Sequence, residues 1–320
     1  MKVEQLPHPT VNSLPHDRSW LLANAEPTAL FHDSMDRWIK AMIADEHGGG
    51  ESSDENIVGE IRAKANGIIA GTSVVDRLVV QHFPDCTVTW NVTEGEGVQS
   101  GEQVLNISGP AVQILRCERI MLNILGRMSG IATNTAAWVS QAGNIGVACT
   151  RKTDWGLLDK WSVHVGGGLT HRLSRADALM IKENDLPALA PGIDEEDVAV
   201  ATAISLIDMD SDAEFTVIEV RDSNQAVAAV KAWDSLQIER SGCEKIVLLL
   251  DNMGPKGCAE VHHILMQENL RAWCILEGSG GVVHEDLGQW IESGVDLVST
   301  SALNRGVSPL DLSMKIVGGD

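Results

Sequence analysis

Residues 215–252 read FTVIEVRDSNQAVAAVKAWDSLQIERSGCEKIVLLLDN. Two short apolar runs, FTVIEV and IVLLL, lie on either side of a stretch in which apolar residues recur at helical spacing. Continuous apolar runs of this length are typical of strands that are buried on both faces. A strand, a helix and a second strand in this order indicate a parallel sheet. The stretch therefore predicts an α/β fold.

The same alternation of apolar runs and amphipathic stretches extends to both sides of this unit. Helical patterns such as DEEDVAVATAISLI (194–207) separate the runs. Six units of this kind favour a barrel of parallel strands, with a doubly wound open sheet as the alternative. The predicted strands are GVACT (146–150), ALMI (178–181), FTVIEV (215–220), IVLLL (246–250), WCIL (273–276) and VDLVS (295–299).

The first third of the chain has a different pattern. Residues 57–80 and 86–109 predict short strands broken by glycine turns, with one helix between them. Before them, DEHGGGESSDEN (45–56) is acidic and almost without apolar residues, which predicts an exposed loop. Pro110 then begins a long helical pattern that carries Arg119.

Composition excludes several classes of protein. The formal net charge of −21 over 320 residues argues against nucleic-acid binding, because phosphate backbones would be repelled. No apolar run is long enough to cross a membrane, and the start, MKVEQLPHPT, has no apolar signal-peptide core. The six cysteines are scattered without a CxxC pair, which favours reduced thiols over disulfides or a zinc site. We expect a cytoplasmic protein with neither nucleic-acid nor membrane partners.

Positive charge is concentrated in one part of this acidic chain. Between Arg116 and Lys182 there are nine Lys or Arg residues and only four Asp or Glu residues. Surface ion pairs would explain any single one of these residues. The whole set, which surrounds three consecutive glycines at 166–168, favours a pocket for anions.

Polar and charged residues follow each predicted strand. In a barrel of parallel strands these positions meet at the C-terminal face, where active sites form. The turn Ser279–Gly280–Gly281 precedes a helical pattern and is a candidate phosphate cradle, and STSAL (299–303) is a second. The other residues at these strand ends are Arg151, Lys152, Lys182, Glu219, Asp251 and Asn252.

The acids Glu219 and Asp251 admit three interpretations: a general acid/base pair, a metal site, or both. Oxygen ligands and the lack of a His/Cys cluster favour Mg²⁺ over zinc, with a phosphorylated substrate completing the coordination. His171 is either a structural histidine or a ligand-binding one, and the glycines before it favour close approach of a ligand.

Taken together, these motifs resemble the nicotinate-nucleotide pyrophosphorylase family, also called quinolinate phosphoribosyltransferase. The resemblance extends from about residue 58 to about residue 316 and depends on the order and spacing of its parts. These parts are ERIMLNILGRMSGIAT (118–133), TRKT (150–153), VGGGLTHR (165–172), IKEN (181–184), LLDNM (249–253), EGSGG (277–281) and GVDLVSTSAL (294–303).

The resemblance implies an architecture and a reaction. The implied fold is an N-terminal α/β sandwich domain (1–121, joined by the C-terminal tail 306–320) followed by an incomplete TIM-like open α/β barrel (122–305). The implied reaction joins quinolinate to phosphoribosyl pyrophosphate with loss of CO₂, yielding nicotinate mononucleotide and pyrophosphate for NAD biosynthesis, with Mg²⁺ as cofactor. A homodimer that shares Arg119 across its interface, or a hexamer of such dimers, is implied as the assembly.

The resemblance also implies a role for each matching residue. Lys152, Glu219 and Asp251 would be catalytic, with Glu219 and Asp251 near the metal, directly or through water. Quinolinate would be bound by Arg119, Arg151, His171, Arg172 and Lys182. Phosphoribosyl pyrophosphate would be bound by Lys152, Lys182, Glu219, Asp251, Ser279, Gly280, Gly281 and Ser301.

The chain departs from the family pattern at a few positions. Glu183 stands where aspartate is usual, Val217 replaces an acid, and Ser301 replaces a glycine. A GDxT motif is not recognisable near the acidic stretch. Two alternatives keep the fold: transfer to another pyridine or aromatic acceptor, and a barrel that binds phosphorylated metabolites without catalysis. The acids Glu219 and Asp251 disfavour the second, since a pure anion binder has no use for them.

Overall fold

A computed structural model describes residues 14–46, 55–208 and 214–319. Most of the acidic stretch 45–56 and the whole of MKVEQLPHPT lie outside the described residues, so the expectations for them stay predictions. No helix in the described ranges combines the length and hydropathy needed to cross a bilayer. No disulfide joins any of the six cysteines, all of which are described.

The described residues up to 142 form seven strands and three α-helices. In chain order these elements are β1 (Ala23–Asn24), β2 (Glu26–Pro27), α1 (Ala29–Asp45), β3 (Asn56–Ala63), β4 (Gly67–Ile68), α2 (Thr72–His82), β5 (Thr87–Trp90), β6 (Gly97–Val98), β7 (Gln103–Pro110) and α3 (Ala111–Ala142).

From residue 146 strands and helices alternate. The elements are β8 (Gly146–Cys149), α4 (Leu157–Val165), β9 (Leu179–Ile181), α5 (Leu186–Leu189), α6 (Glu196–Ser205), β10 (Thr216–Val220), α7 (Ser223–Arg240), β11 (Ile246–Asp251), α8 (Gly254–Gln267), β12 (Cys274–Ser279), α9 (Leu287–Glu292), β13 (Leu297–Thr300) and β14 (Leu312–Gly319).

The described chain forms two compact units. Unit 1 contains residues 14–17, 140–151 and 171–300, and unit 2 contains residues 18–139, 152–170 and 301–319, apart from the undescribed gaps. The domain boundaries that the sequence predicts, after residues 121 and 305, remain predictions.

Unit 1 is built on a six-stranded parallel sheet in the order β8-β13-β12-β11-β10-β9. Every residue of β8, β10 and β13 is buried, as their apolar sequences predict. Strands β9 to β13 advance across the sheet in one direction, so right-handed connections place their helices on one face, as in a barrel. No pairing of β8 with β9 occurs among the described residues, so the sheet is open. This confirms the predicted α/β class and disfavours the doubly wound alternative.

Unit 2 contains a four-stranded antiparallel sheet in the order β14-β3-β7-β5 and the small hairpin β4-β6. The C-terminal strand β14 pairs with β3, so the end of the chain joins the sheet of the first third. The predicted strands and the single helix between them are present. Pro110 ends β7, whereas the sequence placed it in the first turn of the helix; α3 begins one residue later.

Two glycines of α3 allow another segment of unit 2 to approach the helix backbone closely. A Cβ atom on Gly130 would lie 2.3 Å from the carbonyl oxygen of Ser308, and one on Gly126 would lie 3.2 Å from that of Leu310. The Leu310 N–H donates a hydrogen bond to the Gly126 carbonyl at 2.8 Å. Glycine is therefore required at position 130 by packing.

Candidate active site

Carboxylates of unit 1 lie in one row across the parallel sheet. Glu219, Leu249, Glu277 and Leu297 are register partners on β10, β11, β12 and β13. Register partners on adjacent strands point to the same face of a sheet. Asp251 lies two residues beyond Leu249 and therefore extends from the same face at the carboxyl end of β11. The fold thus brings three acids to one region.

Lys182 and Glu219 form an ion pair in this region. Lys182 directly follows β9, and its Nζ donates to Glu219 Oε2 at 2.5 Å. Glu219 is 9% exposed, whereas the side chain of Lys182 is 44% exposed. Two residues that the sequence predicts separately are therefore in direct contact, with the lysine facing outward over the acid.

Asp251 lies beside the predicted phosphate loop. The Asn252 side chain donates to Asp251 Oδ2 at 2.7 Å, and the Asn252 N–H donates to the Ser279 carbonyl at 2.9 Å. Gly280 has a φ of +89°, and a Cβ atom there would lie 2.1 Å from Asn252 Oδ1. Position 280 therefore requires glycine for both its conformation and its neighbour. The structure brings Asp251 and the loop Ser279–Gly281 together.

Three arginines of unit 1, Arg151, Arg172 and Arg175, are close enough together to affect one another electrostatically. Burial, followed by the positive charges of Arg151 and Arg175, lowers the pKa of Arg172 below its usual value. Arg151 and Arg175 are exposed, whereas Arg172 is half-buried. A half-buried guanidinium beside two other cations is stabilised by an added anion, and its planar donors suit a carboxylate.

His171 is buried and lies between Arg172 and Glu277. Its Nε2 lies 3.2 Å from Glu277 Oε1, and its Nδ1 accepts a hydrogen bond from the Arg172 N–H at 2.7 Å. His16 Nε2 lies 3.1 Å from the other carboxylate oxygen, Glu277 Oε2. Burial alone would raise the pKa of Glu277, but His171 and His16 hold it well below its usual range. In this structure His171 therefore contacts protein groups through both ring nitrogens.

Glu277 and His16 were not assigned roles from the sequence. Glu277 stands in the quoted motif EGSGG, and its register with Glu219 could have identified it once the strand pairing was known. For His16 the sequence offers no signal, because it precedes every matched motif and its contact with Glu277 spans 261 residues.

Arg119, Lys152 and Ser301 belong to unit 2, whereas the other predicted site residues belong to unit 1. Arg119 is exposed on α3 and lines a cleft of about 540 Å³ together with Arg127, Trp155 and Pro309, all within unit 2. Ser301 follows β13 directly and has no positive φ, so a side chain there is not strained by the backbone. These placements leave the predicted roles of the three residues as predictions.

The segment that carries Lys152 is held by a buried carboxylate. Asp159 is fully buried and accepts two hydrogen bonds from Arg127, at 2.9 Å and 2.8 Å, and one from the Asp154 N–H at 2.9 Å. The Asn304 side chain donates to the Lys152 carbonyl at 2.9 Å. This network, which the sequence did not reveal, fixes the backbone at Lys152 within unit 2.

The residues at the site fit Mg²⁺ in part. Glu219 already contacts Lys182. Among the described residues, one group of His, Cys, Asp or Glu side chains is close enough together to form a three-residue metal site, and this group is His16–His171–Glu277. Asp251 has the hard oxygen ligands that Mg²⁺ prefers, so substrate oxygens and water would have to complete its coordination there.

Comparisons with known proteins show the family of the chain. Residues 131–315 match the family model "Quinolinate phosphoribosyl transferase, C-terminal domain", and residues 40–129 match the model of the N-terminal domain. A probable nicotinate-nucleotide pyrophosphorylase (carboxylating) of Methanothermobacter thermautotrophicus is 32% identical over 268 residues, covering 82% of this chain and 89% of that protein. The chloroplastic nicotinate-nucleotide pyrophosphorylase (carboxylating) of Oryza sativa subsp. japonica is 33% identical over 261 residues, covering 79% and 68%.

Solved structures show the same fold. NadC from Streptococcus pyogenes superposes with a TM-score of 0.75 at 26% identity, covering 92% of this chain and all of that one. The nicotinate-nucleotide pyrophosphorylase from Pyrococcus furiosus, at 18% identity, shares the fold with a TM-score of 0.61. The chain belongs to the quinolinate phosphoribosyl transferase family.

Proposed function

We propose that the protein transfers the phosphoribosyl group of phosphoribosyl pyrophosphate to quinolinate with decarboxylation. The products are nicotinate mononucleotide, pyrophosphate and CO₂, which places the enzyme in NAD biosynthesis. Relatives that share about 30% identity over most of the chain carry this activity in their names.

The observation that carries the proposal is the environment of Arg172, which is half-buried beside other cations. Quinolinate is a small dianion with two adjacent carboxylates, and Arg172 is half-buried beside Arg151 and Arg175. An anion bound there relieves the repulsion among the cations and forms charge-assisted hydrogen bonds. Quinolinate binding by Arg172 and Arg151 is the role that these contacts support.

The acids at the neighbouring strand ends suit the second substrate. As pyrophosphate leaves, positive charge develops at C1 of the ribose, and the carboxylates of Glu219 and Asp251 can stabilise it. Lys182 is paired with Glu219 and is partly exposed, so its ammonium group can stabilise the negative charge on the departing pyrophosphate. The pyridine nitrogen forms a bond to C1 of the ribose as the C1–O bond to pyrophosphate breaks, and it becomes cationic. The bond between the ring and the adjacent carboxylate then breaks, CO₂ leaves, and the electron pair that remains on the ring carbon, stabilised by the cationic nitrogen, takes up a proton.

Positioning accounts for most of this chemistry. No covalent nucleophile is required when the two substrates are held with the ring nitrogen facing C1. The loop Ser279–Gly281 offers backbone N–H groups beside Asp251 for a phosphate. Lys152 and Ser301 keep their predicted roles in binding phosphoribosyl pyrophosphate.

Mg²⁺ is proposed as the cofactor. Asp251 would hold it, with Glu219 contacting it through water, because Glu219 already binds Lys182. When bound, Mg²⁺ would neutralise charge on the pyrophosphate group.

The assembly and the location are also proposals. Arg119 is exposed on α3, which is compatible with a homodimer in which it reaches the site of a second copy. A hexamer of such dimers and a cytoplasmic location are carried forward from the sequence as predictions.

Incubation of the purified protein with quinolinate, phosphoribosyl pyrophosphate and Mg²⁺ tests the proposal. We expect nicotinate mononucleotide and CO₂ in equal amounts, measured by chromatography and by release of labelled CO₂. Nicotinate in place of quinolinate is the control for the acceptor, and a chelator is the control for Mg²⁺. Product from nicotinate alone would indicate the other-acceptor alternative. Quinolinate binding without product would indicate a non-catalytic binding protein.

A further inference from the structure

The segment that contains His16 lies outside the part of the chain that defines the family. The family models begin at residue 40, and the described structure begins at residue 14. His16 is nevertheless fully buried, and its partner Glu277 is 1% exposed. A polar side chain that is buried this completely needs a compensating contact, which Glu277 supplies.

The two histidines share the carboxylate of Glu277, one on each oxygen. The Nε2–O distances are 3.1 Å for His16 and 3.2 Å for His171. The two rings meet edge to face with centroids 4.8 Å apart, and Phe215 packs against His16 with centroids 5.2 Å apart. The carboxylate of Glu277, which is 1% exposed, is therefore held on both sides by two rings that pack against each other.

Two interpretations of this cluster are chemically possible. Two histidines and a glutamate are a zinc ligand set, and their ligand atoms lie within 4.8 Å of one another. The Arg172 N–H, however, occupies the lone pair of His171 Nδ1 at 2.7 Å. The neutral ring then carries its proton on Nε2, where a metal would need a lone pair. The contacts favour a hydrogen-bonded chain over a metal site.

The chain of contacts ends at the arginine that the proposed function assigns to quinolinate. His171 has a φ of +52°, a conformation that non-glycine residues seldom adopt. The Nδ1 atom of its ring accepts a hydrogen bond from the Arg172 N–H. The orientation of the ring and the direction of the backbone at Arg172 therefore depend on each other. Glu277 holds the ring from the opposite side, and its negative charge favours the charged form of Arg172.

We infer that His16 and Glu277 are positioning residues that fix His171 and thereby orient Arg172 for the two carboxylates of the acceptor. This inference rests on the proposed function, because it concerns the same site. It assigns to the segment before residue 40 a contribution to substrate binding. His16 acts only through Glu277 and His171 and does not itself contact the substrate.

The variants His16→Ala and His16→Gln test the inference. Alanine removes the hydrogen bond to a buried charged group, so we expect KM and Kd for quinolinate to rise roughly 10- to 100-fold. KM for phosphoribosyl pyrophosphate should stay within about threefold of wild type. Glutamine places an amide N–H near the position of Nε2, so it should restore most of the quinolinate affinity.

His82→Ala is the matched control, because His82 is an exposed histidine at the end of α2. It should leave both KM values unchanged. Thermal melts identify variants that do not fold, and isothermal calorimetry with quinolinate alone gives Kd independently of turnover. If His16→Ala fails to fold, His16→Leu, which fills the space of the ring without a hydrogen-bonding group, takes its place. A ratio of the two KM values in His16→Leu equal to that of the wild type overturns the inference.

Other outcomes separate this inference from the proposed function. An active wild type with an unchanged quinolinate KM in His16→Ala overturns the inference and leaves the proposed function standing. Equal rises in both KM values also overturn it, since they indicate a general structural effect. Stoichiometric zinc binding that His16→Ala abolishes overturns it in favour of a metal site. A wild type that neither binds nor converts quinolinate overturns the proposed function and the inference together.

Discussion

Each unit contains a buried carboxylate behind a segment that carries predicted site cations, but the two carboxylates are neutralised differently. Asp159 of unit 2 binds Arg127 through both of its oxygens and accepts a backbone N–H in addition. Glu277 of unit 1 has two histidines, and the nearby arginine Arg172 has a lowered pKa. A carboxylate that is fully paired with an arginine is a structural support. A carboxylate beside an incompletely neutralised arginine leaves positive charge available for a ligand.

The largest effect on stability is expected at the structural carboxylate. Asp159→Ala leaves Arg127 without its bidentate partner in a largely buried setting and should lower the free energy of unfolding by about 3–5 kcal/mol. Urea denaturation measures this change. The control is Asp154→Ala, which removes an exposed partner of the same arginine and should lower stability by at most about 1 kcal/mol. Equal losses in the two variants would contradict the structural role of Asp159.

The largest effect on binding is expected at the incompletely neutralised arginine. Arg172→Ala should raise KM for quinolinate about 30-fold or more, because a charge-assisted carboxylate contact is lost. KM for phosphoribosyl pyrophosphate should change little in steady-state assays. Arg240→Ala is the matched control, since Arg240 pairs with Glu244 at the end of α7 in the same unit. An unchanged quinolinate KM in Arg172→Ala would remove the residue from the proposed site.

Glu277→Gln should lower stability by about 1–3 kcal/mol at neutral pH, because hydrogen bonds to a charged acceptor are weakened. The pKa of Glu277 lies below its unfolded value, so the stabilisation by its carboxylate is complete above the unfolded pKa of about 4. It is lost as the pH falls through the lower folded pKa. The difference between wild type and variant in urea denaturation should therefore shrink as the pH falls below about 4. A difference that grows in acid would contradict the assignment.

An effect of similar size is expected in the loop beside Asp251. Gly280→Ala combines a φ of +89° with a Cβ contact at 2.1 Å to Asn252, so it should lower stability by about 1–3 kcal/mol and weaken phosphoribosyl pyrophosphate binding. Gly281→Ala has a φ of +64° but no atom within 4 Å of the added Cβ, so its effect should be about 1 kcal/mol. Thermal melts and KM measurements compare the pair. A larger effect at 281 than at 280 would contradict the packing described for this loop.

The smallest difference between the two units is expected in the reactivity of their buried cysteines. The interiors of both units should protect these thiols equally from alkylation. Burial raises the pKa of Cys117, in unit 2, and of Cys258 and Cys274, in unit 1, to about 12. Cys243 is exposed. Alkylation of the native protein at pH 8 should therefore modify Cys243 first, as measured by peptide mass spectrometry. Rapid modification of Cys117 or Cys274 would show that the corresponding interior opens.

The parallel sheet was predictable from the sequence because its signal is local. All six apolar runs became strands, since a strand buried on both faces must be apolar at every position. The strand ends also identified Lys182 and Glu219, which prove to be in contact. The exception at Pro110 has a local cause as well. Pro110 lies beyond Ser108, the last residue of β7 that pairs with β5, and proline is also common at the start of a helix.

The sequence by itself determined the fold class, the family resemblance and the residues at the strand ends, because hydrophobic periodicity and strand-end chemistry depend on neighbours along the chain. Only the tertiary structure decided which residues contact the buried carboxylates near those strand ends and the other site segments. The contact of His16 with Glu277 joins positions 261 residues apart, and that of His171 with Glu277 joins positions 106 residues apart. Asp159 reaches Arg127 across 32 residues in the same way. Strand register and packing determine which residues neutralise a buried charge. Because these contacts join residues that are far apart in the sequence, no local sequence pattern predicts them.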